Sequence, residues 1–125
     1  HYISQEIRLL GRIVKALRTI SGNENGYLVD FLKPELFDKL VEAAQTISGV
    51  VEKDHCFSFG TPSVALKCGP VLKKCCVVLK GQALRNSDEL GEKNAQRLQH
   101  LIEEEWKHKV TSVALRSIKE VKRNE

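Results

Sequence analysis

Polar and apolar positions alternate with helical period along most of this chain. Over residues 3 to 20, Ile3, Ile7, Leu10, Val14 and Leu17 form a stripe spaced by threes and fours, with Ile13 and Ile20 beside it. Arg8, Arg12 and Lys15 take the opposite face, so the segment is an amphipathic helix. Ser21-Gly22-Asn23-Glu24-Asn25-Gly26 stops it, because Gly and Asn accept the left-handed backbone of a cap or turn. Tyr27 to Leu32 is a short helix or turn. Pro34 then opens a second long helix, since a residue without an N–H suits the first helical position. Leu36, Phe37, Leu40, Val41, Ala44 and Ile47 give that helix its apolar face, and Ser48-Gly49 ends it.

Val50 to Gly60 breaks the period. Val50, Val51, Phe57 and Phe59 have strand-like character, but a lone short strand has no evident partner, so the stretch is expected to be a loop. Thr61-Pro62 starts the longest apolar-rich run, Ser63 to Leu84, around which the rest of the chain is expected to pack. Val64, Cys68, Val71, Leu72, Cys75, Val78 and Leu79 supply its apolar steps; Lys67, Lys73, Lys74 and Lys80 supply its polar side. Gly69-Pro70 predicts a kink or break, because Pro removes a donor and crowds the carbonyl four residues back.

Asn86 and Glu89 form a capping pair at the start of the next helix, whose apolar face is Leu90, Ala95, Leu98, Leu101, Ile102 and Trp106. The pattern continues through Val110, Val113, Ala114, Ile118 and Val121. One helix over most of residues 87 to 121 exceeds the usual length, and Thr111 and Ser112 can cap a second, which favours a break between His108 and Ser112. The expected fold is therefore all-α: a single-domain bundle of five or six helices over residues 1–125, with a basic tail from about residue 107 to 125.

At 125 residues the chain can bury one core. With only 4 Phe, 2 Tyr and 1 Trp, that core must be aliphatic. The absence of Met and the start at His1 lead us to expect a piece of a longer protein. No apolar run approaches the roughly 18 residues of a membrane span, and no targeting leader is visible within the piece. Cys68 and Cys75, seven apart on one helix, would lie about 10 Å apart, too far for a disulfide, so reduced buried thiols in an intracellular protein are the expectation.

Catalytic and metal chemistry find little support. His55, Cys56, Cys68 and Cys75 lack the paired spacing of a structural zinc site. A nucleophilic cysteine needs a partner that stabilises its thiolate; only the proximity of Lys73 and Lys80 to Cys76, or a distant His100 or His108, offers one. Glu103-Glu104-Glu105 diverge around a helix axis and describe a solvated acidic face. No phosphate-cradling glycine motif occurs. The expectation is a non-enzyme with no catalytic residues, no metal and no cofactor.

Charge is segregated. Lys107, Lys109, Arg116, Lys119, Lys122 and Arg123 make a basic tail able to meet DNA phosphates, although cations near helix ends also simply complement the dipole. No aromatic side chain interleaves them, which disfavours single-stranded nucleic acid.

Three segments carry a resemblance: FLKPELFDKLVEAAQTISG (31–49), TPSVALKCGPVLKKCCVVLKGQALR (61–85) and HLIEEEWKHKVTSVALRSIKEVKRN (100–124). They resemble a helical accessory region of animal tyrosine-recombinase-like proteins derived from mobile elements, where it precedes the recombinase core. That resemblance implies a nuclear, DNA- or chromatin-associated parent protein and carries over no catalytic residue, since neither Tyr2 nor Tyr27 has a matching context. Residues 95 to 106, AQRLQHLIEEEW, are also similar to a late helix of the TFIIS N-terminal bundles, which bind short disordered peptides. Together these imply a non-enzymatic module of a transcription- or chromatin-linked protein that binds a partner peptide or helix, with a groove beside Trp106, Leu72 and Val110 as the expected site. Double-stranded DNA binding through the basic residues, and homodimerisation through the 3–17 stripe, are the alternatives.

Overall fold

The structure is a computed structural model. It describes residues 2–54 and 56–124, with the side chains of residues 2, 3, 53 and 120–124 outside the description. It is mostly helical, with one small antiparallel sheet, so the all-α expectation holds in its coarse form. The elements run α1 (Tyr2–Ser21), α2 (Leu28–Phe31), a 3₁₀ turn (Pro34–Leu36), α3 (Phe37–Ser48), β1 (Val50–Lys53), β2 (Cys56–Phe59), α4 (Pro62–Arg85), α5 (Glu89–Trp106), a π-helical turn (Lys107–Thr111) and α6 (Ser112–Asn124). Packing divides mainly into two pairs, α1 on α3 and α4 on α5, joined by contacts of α3 with α4 and closed by α6 against α4 and β2.

The apolar faces lie close to where the sequence pattern puts them, with a rotation in α1. Its buried side chains are Leu9, Ile13 and Leu17, while Ile7 is 63% exposed and Leu10 and Val14 are half-buried. The core-facing stripe thus takes Leu9 and Ile13 in place of Leu10 and Val14 and meets the predicted seam at Leu17. Pro34 opens the 3₁₀ turn, and Gly49 takes φ 73° where α3 ends, a backbone that a side chain would strain.

The expected loop at Val50 to Gly60 is instead a hairpin. Val50 pairs with Phe59, Val51 with Ser58, Glu52 with Phe57 and Lys53 with Cys56, so the partner sought for one strand is the other half of the same stretch. Asp54 turns the chain at φ 54°, a conformation Asp tolerates. Tertiary contacts hold so short a ribbon in place. The Phe59 N–H donates to the buried Ser117 Oγ at 2.8 Å, Ser117 donates to the Val113 carbonyl at 2.7 Å, and the Arg116 guanidinium donates to the Phe57 carbonyl. Phe57 and Phe59 meet edge to face at 6.1 Å.

Two expected interruptions also come out differently. The break at Gly69-Pro70 does not occur: α4 runs unbroken from Pro62 to Arg85. Pro70 sits on the exposed side of the helix, where its ring and the donor it lacks disturb no core packing. The expected break near His108 is a π turn inside a continuous helical path. Leu98, Ile102, Trp106, Val110 and Ala114 are all buried at steps of four. Each such step overshoots one α-helical turn by roughly 40°, and a wider π turn takes up part of that drift and keeps Val110 and Ala114 on the core side. The cap of α5 also lies two places later than expected. Asp88 accepts from the Gly91 N–H at 2.9 Å, while Asn86 closes the end of α4.

Candidate functional site

The expected groove beside Trp106, Leu72 and Val110 is closed. Trp106 is 3% exposed, Leu72 and Val110 are 0% exposed, and all three belong to the core. Gly69 explains how α4 and α5 come so near. A Cβ on Gly69 would lie 2.9 Å from Trp106 Cδ1 and Nε1, so only glycine admits the indole there. The opposite side of the ring meets Phe37 edge to face at 6.2 Å, and Lys109 Nζ stands 5.8 Å over Phe37. The Trp106 Nε1–H is buried without an acceptor, the cost of seating a ring this large against α4.

The open apolar surface lies on the other flank of α4. Val71, Cys75, Val78 and Gln82 recur at four- and three-residue steps and form one wall of a trough; Leu79 lies beside them. Leu10 of α1 and Leu28, Val29 and Leu32 of α2 form the other wall, around a volume of about 370 Å³. A second hollow of about 440 Å³ continues it towards the start of α4 and shares Glu6, Val71 and Lys74 with the first. A third of about 300 Å³ continues it the other way, sharing Val29, Leu32, Leu79 and Gln82 and ending at Asp88. Val29 and Val78 are more than half exposed on its rim. Sequence pattern alone places Val71, Val78 and Leu79 on α4, but it treats all of α4's apolar residues as one buried face. Two apolar flanks on one helix, only one of them covered, is the signal it misses.

The trough is electrically uneven. Arg8, Arg12, Lys67 and Lys74 line its α4-start end against Glu6, which pairs with Lys74 at 2.6 Å. Arg12 donates to the Ile47 carbonyl at 3.1 Å. Arg8 and Lys67 have no ion-pair partner among the described residues.

The thiols are not poised as nucleophiles. Burial pushes the Cys68 and Cys76 thiols up to about 12, and the proximity of Lys73 and Lys80 in sequence does not lower Cys76. Burial first, then the charge of Glu6, also raises Cys75. No three His, Cys, Asp or Glu side chains converge on a common point among the described residues, and His55 lies outside them.

The basic residues expected to meet DNA are dispersed and partly engaged. Lys109 pairs with Asp38 at 3.5 Å and covers Phe37, and Arg116 is tied to the Phe57 carbonyl. Lys107 and Lys119 are exposed, and the side chains of Lys122 and Arg123 lie outside the described residues. The 3–17 stripe of the dimer alternative is split. Leu17 is fully buried, Ile7 is exposed, and the side chain of Ile3 is outside the description. No described helix is long and apolar enough to cross a membrane.

Comparison with protein-family models, curated proteins and solved structures finds no match for this chain.

Proposed function

We propose that this chain is a single helical domain of five or six helices acting as a non-enzymatic interaction module. It docks a partner helix or peptide in the trough between α1, α2 and α4. The observation that carries this is a hollow in which Val78 and Leu79 face Leu28 and Val29 over a floor at Val71, with Val29 and Val78 more than half exposed on its rim. Charge at the α4-start end selects the partner. Arg8 and Lys67 call for acidic residues at one end of an amphipathic helix whose apolar face enters the middle of the trough. The nuclear, chromatin-associated setting of the parent protein rests on the resemblance of residues 31–49, 61–85 and 100–124 alone.

The test uses two synthetic amphipathic helices with the same apolar face, one carrying glutamates at one end and the other lysines. Fluorescence anisotropy gives affinity and amide chemical shifts give location. The acidic peptide is expected to bind at least tenfold tighter, to shift amides of α1, α2 and α4, and to be lost on Val78→Asp. Equal binding of both peptides, shifts confined to other faces, or a self-associated protein that binds neither peptide would overturn the proposal.

A further inference from the structure

The opposite flank of α4 carries a second, chemically different surface. Lys80 stands nine positions from Val71, which at roughly 100° per residue puts it on the other side of the helix from the trough. Together with Lys93, Arg97 and His100 of α5 it lines an open cleft of about 730 Å³. Lys93, Arg97 and His100 are spaced four and three apart, hence aligned on one face of α5. That row is about 10 Å long, the axial span of about three phosphates on one strand of a duplex.

The fold gives these basic side chains no ion-pair partner among the described residues. Lys73, Lys74 and Lys109 each have a carboxylate within 4.0 Å, whereas Lys80, Lys93, Arg97 and His100 have none among the described residues. The carboxylate lining the cleft, Glu103, is already engaged. Its Oε1 lies 3.2 Å from Lys73 Nζ and accepts from Gln99 Nε2 at 3.2 Å. Those two contacts, Gln99 first, hold it below the usual carboxylate range. Its negative charge is thus shared mainly with a lysine outside the row, and within the row it acts on His100 alone. Glu89, Glu92 and Glu104 of the same helix do not line the cleft.

We infer that this cleft is a binding site for the phosphate backbone of double-stranded nucleic acid, contacted without reading sequence. The side chains fit that ligand in three ways. Lys and Arg are the groups that neutralise backbone phosphates, and Gln96 and Gln99 add neutral donors beside them. No Phe, Tyr or Trp ring lines the cleft for an unpaired base to stack on, which favours duplex over single strand. Pro34 and Leu101 are its only apolar lining residues, too little for the buried anchor that an acidic protein partner needs. The site is distinct from the basic tail, whose Lys109 and Arg116 are held by Asp38 and Phe57.

The experiment measures binding of a fluorescent mixed-sequence duplex to the whole chain across salt concentrations. Lys80→Gln/Lys93→Gln/Arg97→Gln together are expected to weaken binding at least tenfold at low salt and to reduce the log–log salt slope by about 2.7. Lys107→Gln/Lys109→Gln/Lys119→Gln together are expected to change affinity less than threefold, and circular dichroism checks that both variants keep their helix content. A single strand that binds as tightly as the duplex, polyglutamate captured in the same cleft, equal loss from both variants, or no duplex binding at low salt would each overturn the inference.

Discussion

The central helix α4 is apolar on two flanks, and the two meet their neighbours in different ways. Against α5 the seam is sealed. Gly69, Leu72 and Cys76 are buried, and Trp106 lies so near Gly69 that a single methyl group would collide with it. Against α1 and α2 the seam is bridged by an ion pair, Glu6 to Lys74, and stays open over Cys75 and Val78, with buried Val71 as its floor. Both flanks are built from the same residue types. What separates them is the presence of a glycine that lets a large ring approach, and the length of the partner. α5 lays 18 residues along α4, whereas α2 has only 4 and the 20-residue α1 packs mainly on α3. An apolar flank without a long partner remains available for one from outside.

Adjacent cysteines report on the two flanks, and the largest expected effect lies there. Cys76 faces the sealed side and Cys75 the trough. At neutral pH the thiolate fraction of Cys76 and of Cys68 is expected to be lower than that of an ordinary thiol by about a thousandfold, tenfold for each unit of pKa. A thiol reagent followed by peptide mass mapping should label exposed Cys56 first, then Cys75, with Cys68 and Cys76 protected until the chain unfolds. Labelling of Cys76 as fast as Cys75 would mean that the seam is not closed. The same thiols make stability depend on pH. Because their folded pKa values are raised, their contribution is complete below about pH 9, the unfolded value, and is lost as pH rises towards about 12.

Packing should differ in the same sense. Leu72→Ala, on the sealed flank, is expected to destabilise by about 2–5 kcal/mol, while Val78→Ala, on the open flank, should cost no more than about 0.5 kcal/mol. Urea midpoints measure both, and equal losses would erase the distinction. A smaller effect is expected from Gly69→Ala, about 1–3 kcal/mol, because the new methyl must push Trp106 aside. Its signature is a change in tryptophan fluorescence of the folded state. An unchanged spectrum and an unchanged midpoint would show that the seam has room to spare.

Much of the architecture was legible in the residues. Pro34, Gly49 and Pro62 mark helix ends by backbone rules that act within a few residues, and the structure honours each of them. The hairpin was missed because its strands are too short to carry a period, and its stability comes from Ser117 and Arg116, about sixty residues away. Pro70 was over-weighted. A proline in mid-helix need not end it where the residue lies on the exposed side, and which side that is depends on how α4 packs. The π turn left a trace that can be read afterwards, the five buried positions at steps of four from Leu98 to Ala114. The groove expected beside Trp106, Leu72 and Val110 is filled core, because large apolar residues look alike in sequence whether they line a groove or fill a core. The cleft row Lys93-Arg97-His100 was visible as spacing, but Lys80, the cleft's other basic residue, comes from another helix.

The sequence by itself determined that this chain is mostly helical and which residues prefer shelter from water, since both follow from local backbone sterics and from periodicity along one strand of text. The tertiary structure alone decided which of α4's two apolar flanks is spent on the core and which stays open. That choice depends on the length and approach distance of helices far away in sequence, on Trp106 meeting Gly69 on one side and nothing longer than α2 covering Val78 on the other.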